Sequence, residues 1–280
     1  ARRWNVPAYD EAAHTGLLRH IYVRHAEATG QVLVCLVVNG ERLPQEDALV
    51  DTLRKAVPGL RSVVLNTNTR RGNAVLGETM RTLWGDDAIE DILCGLRFRI
   101  SPRSFYQVNR TQAERLYGKA LAAAGLTGTE TVLDLYCGTG TIGLVAARRG
   151  AARVIGVDSV PSAIRDAANN ARHNGVENAE FVTQDATAFM KELEASEERP
   201  QPLVLLMDPP RAGSAPEFLE AATSLAPERI VYISCNPATQ ARDVRQLVKS
   251  GYEVRAVRPV DMFPHTDHVE SIVLLEKRND

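Results

Sequence analysis

From about residue 126 to the C-terminus, short apolar runs alternate with amphipathic, alanine-rich stretches. The runs are TVLDLYC (131–137), RVIGVD (153–158), EFVTQD (180–185), PLVLLMD (202–208) and RIVYISC (229–235). Between them stand segments such as SAIRDAANNARHN, PEFLEAATSL and ATQARDVRQLVKSG, whose apolar positions recur at helical spacing. Continuous apolar strands that alternate with helices predict a parallel sheet wrapped by helices. The segments YEVRAVRPVD and SIVLLEK predict two final strands.

The first hundred residues carry a different pattern. RHIYVRHA and QVLVCLVV predict strands, EDALVDTLRKAV a helix, and RSVVLNTN and LRFRIS further strands. We take residues 1–103 as a small α+β accessory recognition domain and residues 104–280 as a second domain with a Rossmann-like, doubly wound, mostly parallel sheet. Asn109, with Gln112 three positions later, predicts the cap of the helix TQAERLYGKALAAAG that joins the two.

At 280 residues and 44% hydrophobic content, the chain can bury one large core and a smaller companion. No apolar run approaches the roughly 18 residues needed to cross a bilayer, so a soluble, cytoplasmic protein is expected. The chain opens on Ala1-Arg2-Arg3 without a methionine, which suggests a truncated N-terminus. Cys35, Cys94, Cys137 and Cys235 stand far apart, without the paired spacing of zinc or iron–sulfur sites, and read as free thiols. A net charge of −2 is not that of a protein that holds nucleic acid by bulk electrostatics. Only Lys55, Lys119, Lys191, Lys249 and Lys277 among the 33 basic residues are lysines; arginine suits phosphate contacts, but GC-rich coding gives the same bias.

Chemistry-bearing residues collect at the ends of the predicted strands. The first strand of the second half runs into Asp134-Leu-Tyr136-Cys-Gly138-Thr-Gly140-Thr-Ile-Gly143. Read literally it contains G-x-G-x-x-G, a geometry that several adenosine-type cofactors share. Asp134 favours a ligand without phosphate, because a carboxylate there repels a pyrophosphate but suits the sulfonium and ammonium charges of S-adenosyl-L-methionine. Asp158 is placed for ribose hydroxyls and Asp185 for adenine, although each alone could equally be a solvated or helix-capping carboxylate.

Strand four ends in Asp208-Pro209-Pro210-Arg211, where two prolines fix the backbone. The related Asp/Asn-Pro-Pro-aromatic motif serves amine methylation, and Arg211 in place of the aromatic argues against that chemistry. Strand five ends in Ser234-Cys235-Asn236-Pro237, which puts a thiol at the same sheet edge. Such a thiol is often only a small buried apolar group. A pyrimidine gives it work: C5 of uracil attacks a methyl donor only after a thiolate adds at C6, and a base must then take the C5 proton. Glu270, in DMFPHTDHVE (261–270), is the candidate base. His265, His268 and Glu270 match no familiar metal spacing, and no metal is expected. A nicotinamide-dependent oxidoreductase, a methyltransferase acting on another nucleobase or a small molecule, and a non-catalytic RNA-binding protein remain as rival readings.

Five ordered segments, SFYQVN (104–109), LDLYCGTGT (133–141), DPPRAG (208–213), SCNP (234–237) and DMFPHTDHVE, together resemble the RNA uracil-5-methyltransferase family, which makes 5-methyluridine in transfer RNA and large-subunit ribosomal RNA. The resemblance runs from about Tyr9 to the C-terminus. It implies a class I S-adenosyl-L-methionine-dependent fold, Cys235 as nucleophile and Glu270 as base. Gln107, Tyr136, Gly138, Gly140, Asp158, Asp185 and Asp208 are the candidate cofactor contacts, with Gln107 and Asp208 also near the target base. Family members often carry Glu at the position of Asp158 and Asn at that of Thr141, so the reach to the ribose is one methylene shorter here.

The resemblance also implies a chain missing a small N-terminal β-barrel RNA-binding domain and the iron–sulfur segment that some members add. The implied partner is RNA with a flipped-out uridine, met by a monomer. Arg97, Arg99, Arg103 and Arg110 are the candidates for an RNA groove.

Overall fold

A computed structural model describes residues 2–197 and 199–278. The chain forms two compact units, one holding the residues up to Ile92 with Arg97–Ser104, the other Leu93–Leu96 with the chain from Phe105 onward.

In the first unit, β1 (Leu18–His25), β2 (Val32–Val38), β3 (Leu60–Thr67) and β4 (Thr79–Gly85) form a sheet in that order, and α1 (Glu46–Ala56) connects the parallel pair β2 and β3. Every residue of β2 is buried, as its unbroken apolar run requires. Its core joins Val32, Val34, Leu36 and Val38 to Val63, Leu65 and the helical Val50. Strand β4, TMRTLWG, is an edge strand of mostly exposed residues. Its pattern lacks the apolar alternation by which strands are recognised, and sequence reading passes over it. A hairpin of β5 (Ile89–Leu93) and β6 (Leu96–Ile100) follows; β5 is likewise missed and β6 is the expected LRFRI.

The second unit opens on α2 (Arg110–Ala124), whose N-cap Asn109 accepts the backbone N–H of Gln112 at 3.2 Å as its sequence predicts. Five strand–helix steps follow: β7 (Thr131–Leu135), α3 (Thr141–Arg148), β8 (Arg153–Asp158), α4 (Pro161–His173), β9 (Ala179–Thr183), α5 (Ala186–Ala195), β10 (Leu203–Met207), α6 (Pro216–Ser224), β11 (Arg229–Ser234) and α7 (Pro237–Lys249). The strands β12 (Tyr252–Val260) and β13 (Glu270–Lys277) complete a seven-stranded sheet in the order β12-β13-β11-β10-β7-β8-β9. Strands β7 to β11 are parallel, and β13 runs antiparallel to both neighbours.

The chain moves outward from β7 to β9, returns to β10 and moves outward the other way. With right-handed crossovers this reversal places the helices on both faces, the doubly wound mostly parallel architecture expected from the sequence. The core lies between these layers, with Leu133, Leu135, Leu205, Met207 and Tyr232 from the strands and Phe218, Leu219 and Leu247 from the helices, all almost wholly buried. In such sheets a crevice opens beyond the carboxyl ends of the strands where the winding reverses, here between β7 and β10. No helix of the described residues is long and apolar enough to cross a membrane.

Candidate active site

A cavity of about 630 Å³ occupies that crevice, within the size range of small-ligand sites. The turns after the strands bring its lining together. After β7, Tyr136 and Gly138 adopt left-handed backbone conformations, φ +65° and +55°, turning the chain sharply before α3. The Gly138 N–H donates to Asp158 Oδ2 at 2.9 Å, and Val160 N–H donates to Asp158 Oδ1 at 2.9 Å. Both oxygens of this carboxylate are thus anchored by backbone, with lone pairs left for a ligand.

Asp185 caps α5, accepting the Ala188 N–H at 3.0 Å, and also lines the cavity. The helix-capping reading of this residue holds, and capping does not remove it from the cavity wall. Gly140 is different, because it is not among the lining residues. Its φ is +78°, and a Cβ there would meet Ala167 and Phe181 at about 3 Å, so this glycine serves the turn and the packing behind it.

The loop after β10 contributes Asp208, Pro209, Pro210 and Arg211, and the turn after β11 contributes Cys235, which is half-buried. Glu270 enters from the first residue of β13 and is 6% exposed. Cys235 and Glu270 therefore line one cavity, together with the expected cofactor contacts Gln107, Tyr136, Gly138, Asp158, Asp185 and Asp208. Cys235 stands two residues before α7, where the helix dipole favours negative charge.

Electrostatically the cavity is one-sided. Among the described residues that line it, Asp134, Asp158, Asp185, Asp208 and Glu270 face a single cation, Arg211. Desolvation, then the nearby Glu270 and Asp134, push the Asp208 carboxyl up to about 8. Burial likewise pushes Asp134 up to about 7, opposed by its hydrogen bond from the Gly143 N–H. Burial raises Glu270 too, and Arg211 pulls it back down.

Sequence reasoning singles out Gln107 and Asn109 in SFYQVN but not their neighbours Phe105 and Val108. Phe105 and Val108 line the cavity while 70% and 81% exposed, an apolar rim of the kind that marks binding surfaces. The available signal was Phe105, Tyr106 and Val108 crowded around Gln107 in a short segment outside any predicted strand or helix. His265 and His268 are exposed and absent from the lining. Among the described residues no cluster of three His, Cys, Asp or Glu could hold a metal.

The four arginines expected to form an RNA groove all have partners within the chain. Arg97 pairs with Glu90 at 3.7 Å, Arg99 with Asp87, and Arg110 with Glu114 at 2.9 Å, while Arg103 donates to the Gly77 carbonyl.

Residues 89–278 match the family model for tRNA (uracil-5-)-methyltransferases. Over essentially its whole length the chain is 46% identical to uncharacterized RNA methyltransferases of Halalkalibacterium halodurans and Caldanaerobacter subterraneus, and it spans about 60% of the length of each. Among solved structures, 98% of the chain superposes with a TM-score of 0.81 and 32% identity on 64% of the Pyrococcus abyssi tRNA (uracil-54, C5)-methyltransferase, which was crystallised with S-adenosyl-L-homocysteine. A putative S-adenosylmethionine-dependent methyltransferase from Streptococcus mutans shares the fold alone, at TM-score 0.59 and 11% identity. This chain belongs to the tRNA (uracil-5-)-methyltransferase family.

Proposed function

We propose that this chain transfers a methyl group from S-adenosyl-L-methionine to C5 of a uridine in transfer or ribosomal RNA, with Cys235 as nucleophile and Glu270 as base. The observation that carries the reading is the lining of one cavity by Cys235, Glu270, Asp208, Asp158 and Asp185. An acidic lining of Asp134, Asp158, Asp185, Asp208 and Glu270, some of them held protonated by burial until a cation arrives, suits a ligand that carries sulfonium and ammonium charges and no phosphate. When bound, the cofactor supplies an electrophilic methyl group. Asp158 would hold the ribose, Asp185 the adenine, and Gln107, Tyr136, Gly138 and Asp208 the remainder.

The thiolate of Cys235 adds to C6 of a uridine flipped into the cavity, and the electron pair of the C5–C6 bond moves onto C5 and O4. After C5 is methylated, Glu270 removes the C5 proton, the double bond re-forms and the thiolate leaves. Burial suits Glu270 to this work, because a carboxylate whose proton affinity is raised accepts a proton more readily near neutral pH. Phe105, exposed at the cavity, offers a ring face to an unstacked base.

Glu270→Gln, incubated with cofactor and transfer or ribosomal RNA, should accumulate a methylated covalent RNA adduct that resists denaturing electrophoresis. Release of 5-methyluridine product at the parental rate would overturn the role of Glu270. Substantial methylation by Cys235→Ala would favour a methyltransferase without a covalent intermediate.

A further inference from the structure

The polar face of α7 contains an anomaly. A helix on a sheet buries an apolar stripe, yet the positions that α7 buries are Gln240, Asp243 and Leu247, with Gln240 and Asp243 only 3% and 1% exposed. Burying a carboxylate is expensive unless every lone pair is met. Here three hydrogen-bond donors and the charge of one guanidinium converge on it. Ser214 N–H and the Tyr232 hydroxyl donate to Asp243 Oδ2 at 2.8 and 2.7 Å. The Nε and Nη2 of Arg242 reach Oδ1 at 2.8 and 2.7 Å.

The same guanidinium donates from Nη2 to the carbonyls of Ala212 and Ser214 at 3.0 and 3.3 Å. Between them Gly213 has φ +78°, and a Cβ there would lie 2.6 Å from both Arg242 Nη2 and Asp243 Oδ2. One turn earlier, Asn236 Nδ2 and the Thr239 hydroxyl donate to the Arg211 carbonyl at 3.0 and 3.1 Å. Helix α7 thus grips the loop that carries Asp208 and Arg211 along its whole exit, residues 211–214. Gln240 donates to the carbonyls of Tyr232 and Ser271 at 2.9 and 3.1 Å, tying the same helix to β11 and to the residue that follows Glu270. Cys235 lies two residues ahead of this helix.

We propose that Asp243 is a positioning residue for the methyl-transfer site. With Arg242 it fixes the Asp208–Arg211 loop to the helix that presents Cys235, so that nucleophile, loop and base keep one geometry through the covalent step. The inference rests on the function proposed above. Asp243 touches none of the reacting atoms, and its effect passes through the Ser214 and Ala212 backbone. The position demands a group that only accepts hydrogen bonds, so the isosteric amide of Asn must set a donor against at least one of these donors.

The test uses the 280-residue chain with Asp243→Asn and with Arg242→Gln, whose parent side chain is 58% exposed, each checked for a cooperative melting transition before use. The probes are transfer RNA and large-subunit ribosomal RNA transcripts carrying 5-fluorouridine, supplied with S-adenosyl-L-methionine: once C5 is methylated it bears fluorine where the proton would be, the elimination cannot occur and the adduct persists. The expected result is a covalent adduct that forms at least about tenfold more slowly in Asp243→Asn and about fivefold more slowly in Arg242→Gln. RNA affinity and S-adenosylhomocysteine affinity should stay within about threefold of the parent. Hydrogen exchange at the Ser214 amide should rise by about tenfold or more in Asp243→Asn.

A folded Asp243→Asn chain that forms adduct within threefold of the parent overturns the proposal. Should that variant not fold, an Arg242→Gln chain within twofold of the parent overturns it. A parent chain that forms no adduct sinks the proposed chemistry instead, and the Ser214 exchange rate then decides the clamp alone: unchanged protection overturns it.

Discussion

Asp134 Oδ2 accepts the N–H of Gly143 at 2.9 Å, and a Cβ on residue 143 would lie 2.7 Å from that same oxygen and 3.1 Å from Val154. Strand β7 and helix α3 approach so closely that only hydrogen fits. The third glycine of the apparent dinucleotide fingerprint therefore serves helix–strand packing. Gly143→Ala should destabilise the chain by about 1–3 kcal/mol, the usual cost of overpacking. It should also weaken S-adenosylhomocysteine binding, because Thr141 and Ile142 of the same helix turn line the cavity. Thermal melting and calorimetric titration check this; a parental melting curve with parental affinity would show that the contact relaxes without cost.

The crowding of carboxylates predicts a pH dependence of stability. Asp208 ionises near 3.8 in an unfolded chain but holds its proton up to about 8 in the fold. Between those values the folded state binds the extra proton, so this group's contribution is fully present below about pH 4 and is lost as pH rises through 8. Asp208→Asn cannot ionise, so it should melt higher than the parent at pH 8 to 9 and together with it near pH 4. A cationic ligand should draw the proton off, and S-adenosyl-L-methionine titrated at pH 7 in buffers of different ionisation enthalpy should show proton release. Equal melting of variant and parent at pH 9, or no buffer dependence, would remove Asp208 as the titrating group.

How far this site was legible follows from where its residues stand on the elements. Strands β7, β8, β10 and β11 are continuous apolar runs, so the parallel sheet and the acids and thiol at its edge could be placed by counting. The cap at Asn109 was equally local. Strand β4 escaped because its edge position leaves it exposed. Gln240 and Asp243 escaped for the opposite reason: polar residues three apart on an amphipathic helix read as its solvated face, and only the arrival of Tyr232, Ser214 and Ser271 from other elements makes them buried. The partners of Arg97 and Arg99, Glu90 and Asp87, likewise lie across the β5–β6 hairpin or in the turn before it, where spacing alone does not pair them.

Asn109 performs two tasks that substitution can separate. Its Oδ1 caps α2, and its Nδ2 donates to the Met262 carbonyl at 3.0 Å, fixing the segment that holds Gln107 against the one that holds Phe263. Asn109→Ala loses both and should cost about 1–2 kcal/mol in thermal or urea unfolding. Asn109→Asp keeps a capping acceptor but cannot donate to Met262. It should recover most of the stability while adduct formation with 5-fluorouridine RNA stays several-fold slow. Full recovery of both properties in Asn109→Asp would show that the Met262 bond does not matter to the site.

The cysteines differ enough in environment to be told apart chemically. Cys35 is wholly buried and pushed up to about 11 by desolvation, Cys137 is 7% exposed and pushed up further, and burial also raises the half-buried Cys94. Cys235 is half-buried but lines the cavity near the N-terminus of α7. Limited alkylation with iodoacetamide near pH 7.5, read by peptide mass spectrometry, should therefore label Cys235 first, because the thiolate is the reactive form. Methyl transfer should fall in step with that label. Cys235→Ala should lose transfer by a factor on the order of 10⁴ or more, as nucleophile deletions do, and should still bind S-adenosylhomocysteine within about threefold of the parent. Cys137→Ala, although it alters the same cavity wall, should keep most of the transfer rate. If Cys94 or Cys137 takes the label first while Cys235 stays intact in inactivated protein, the nucleophile has been misassigned.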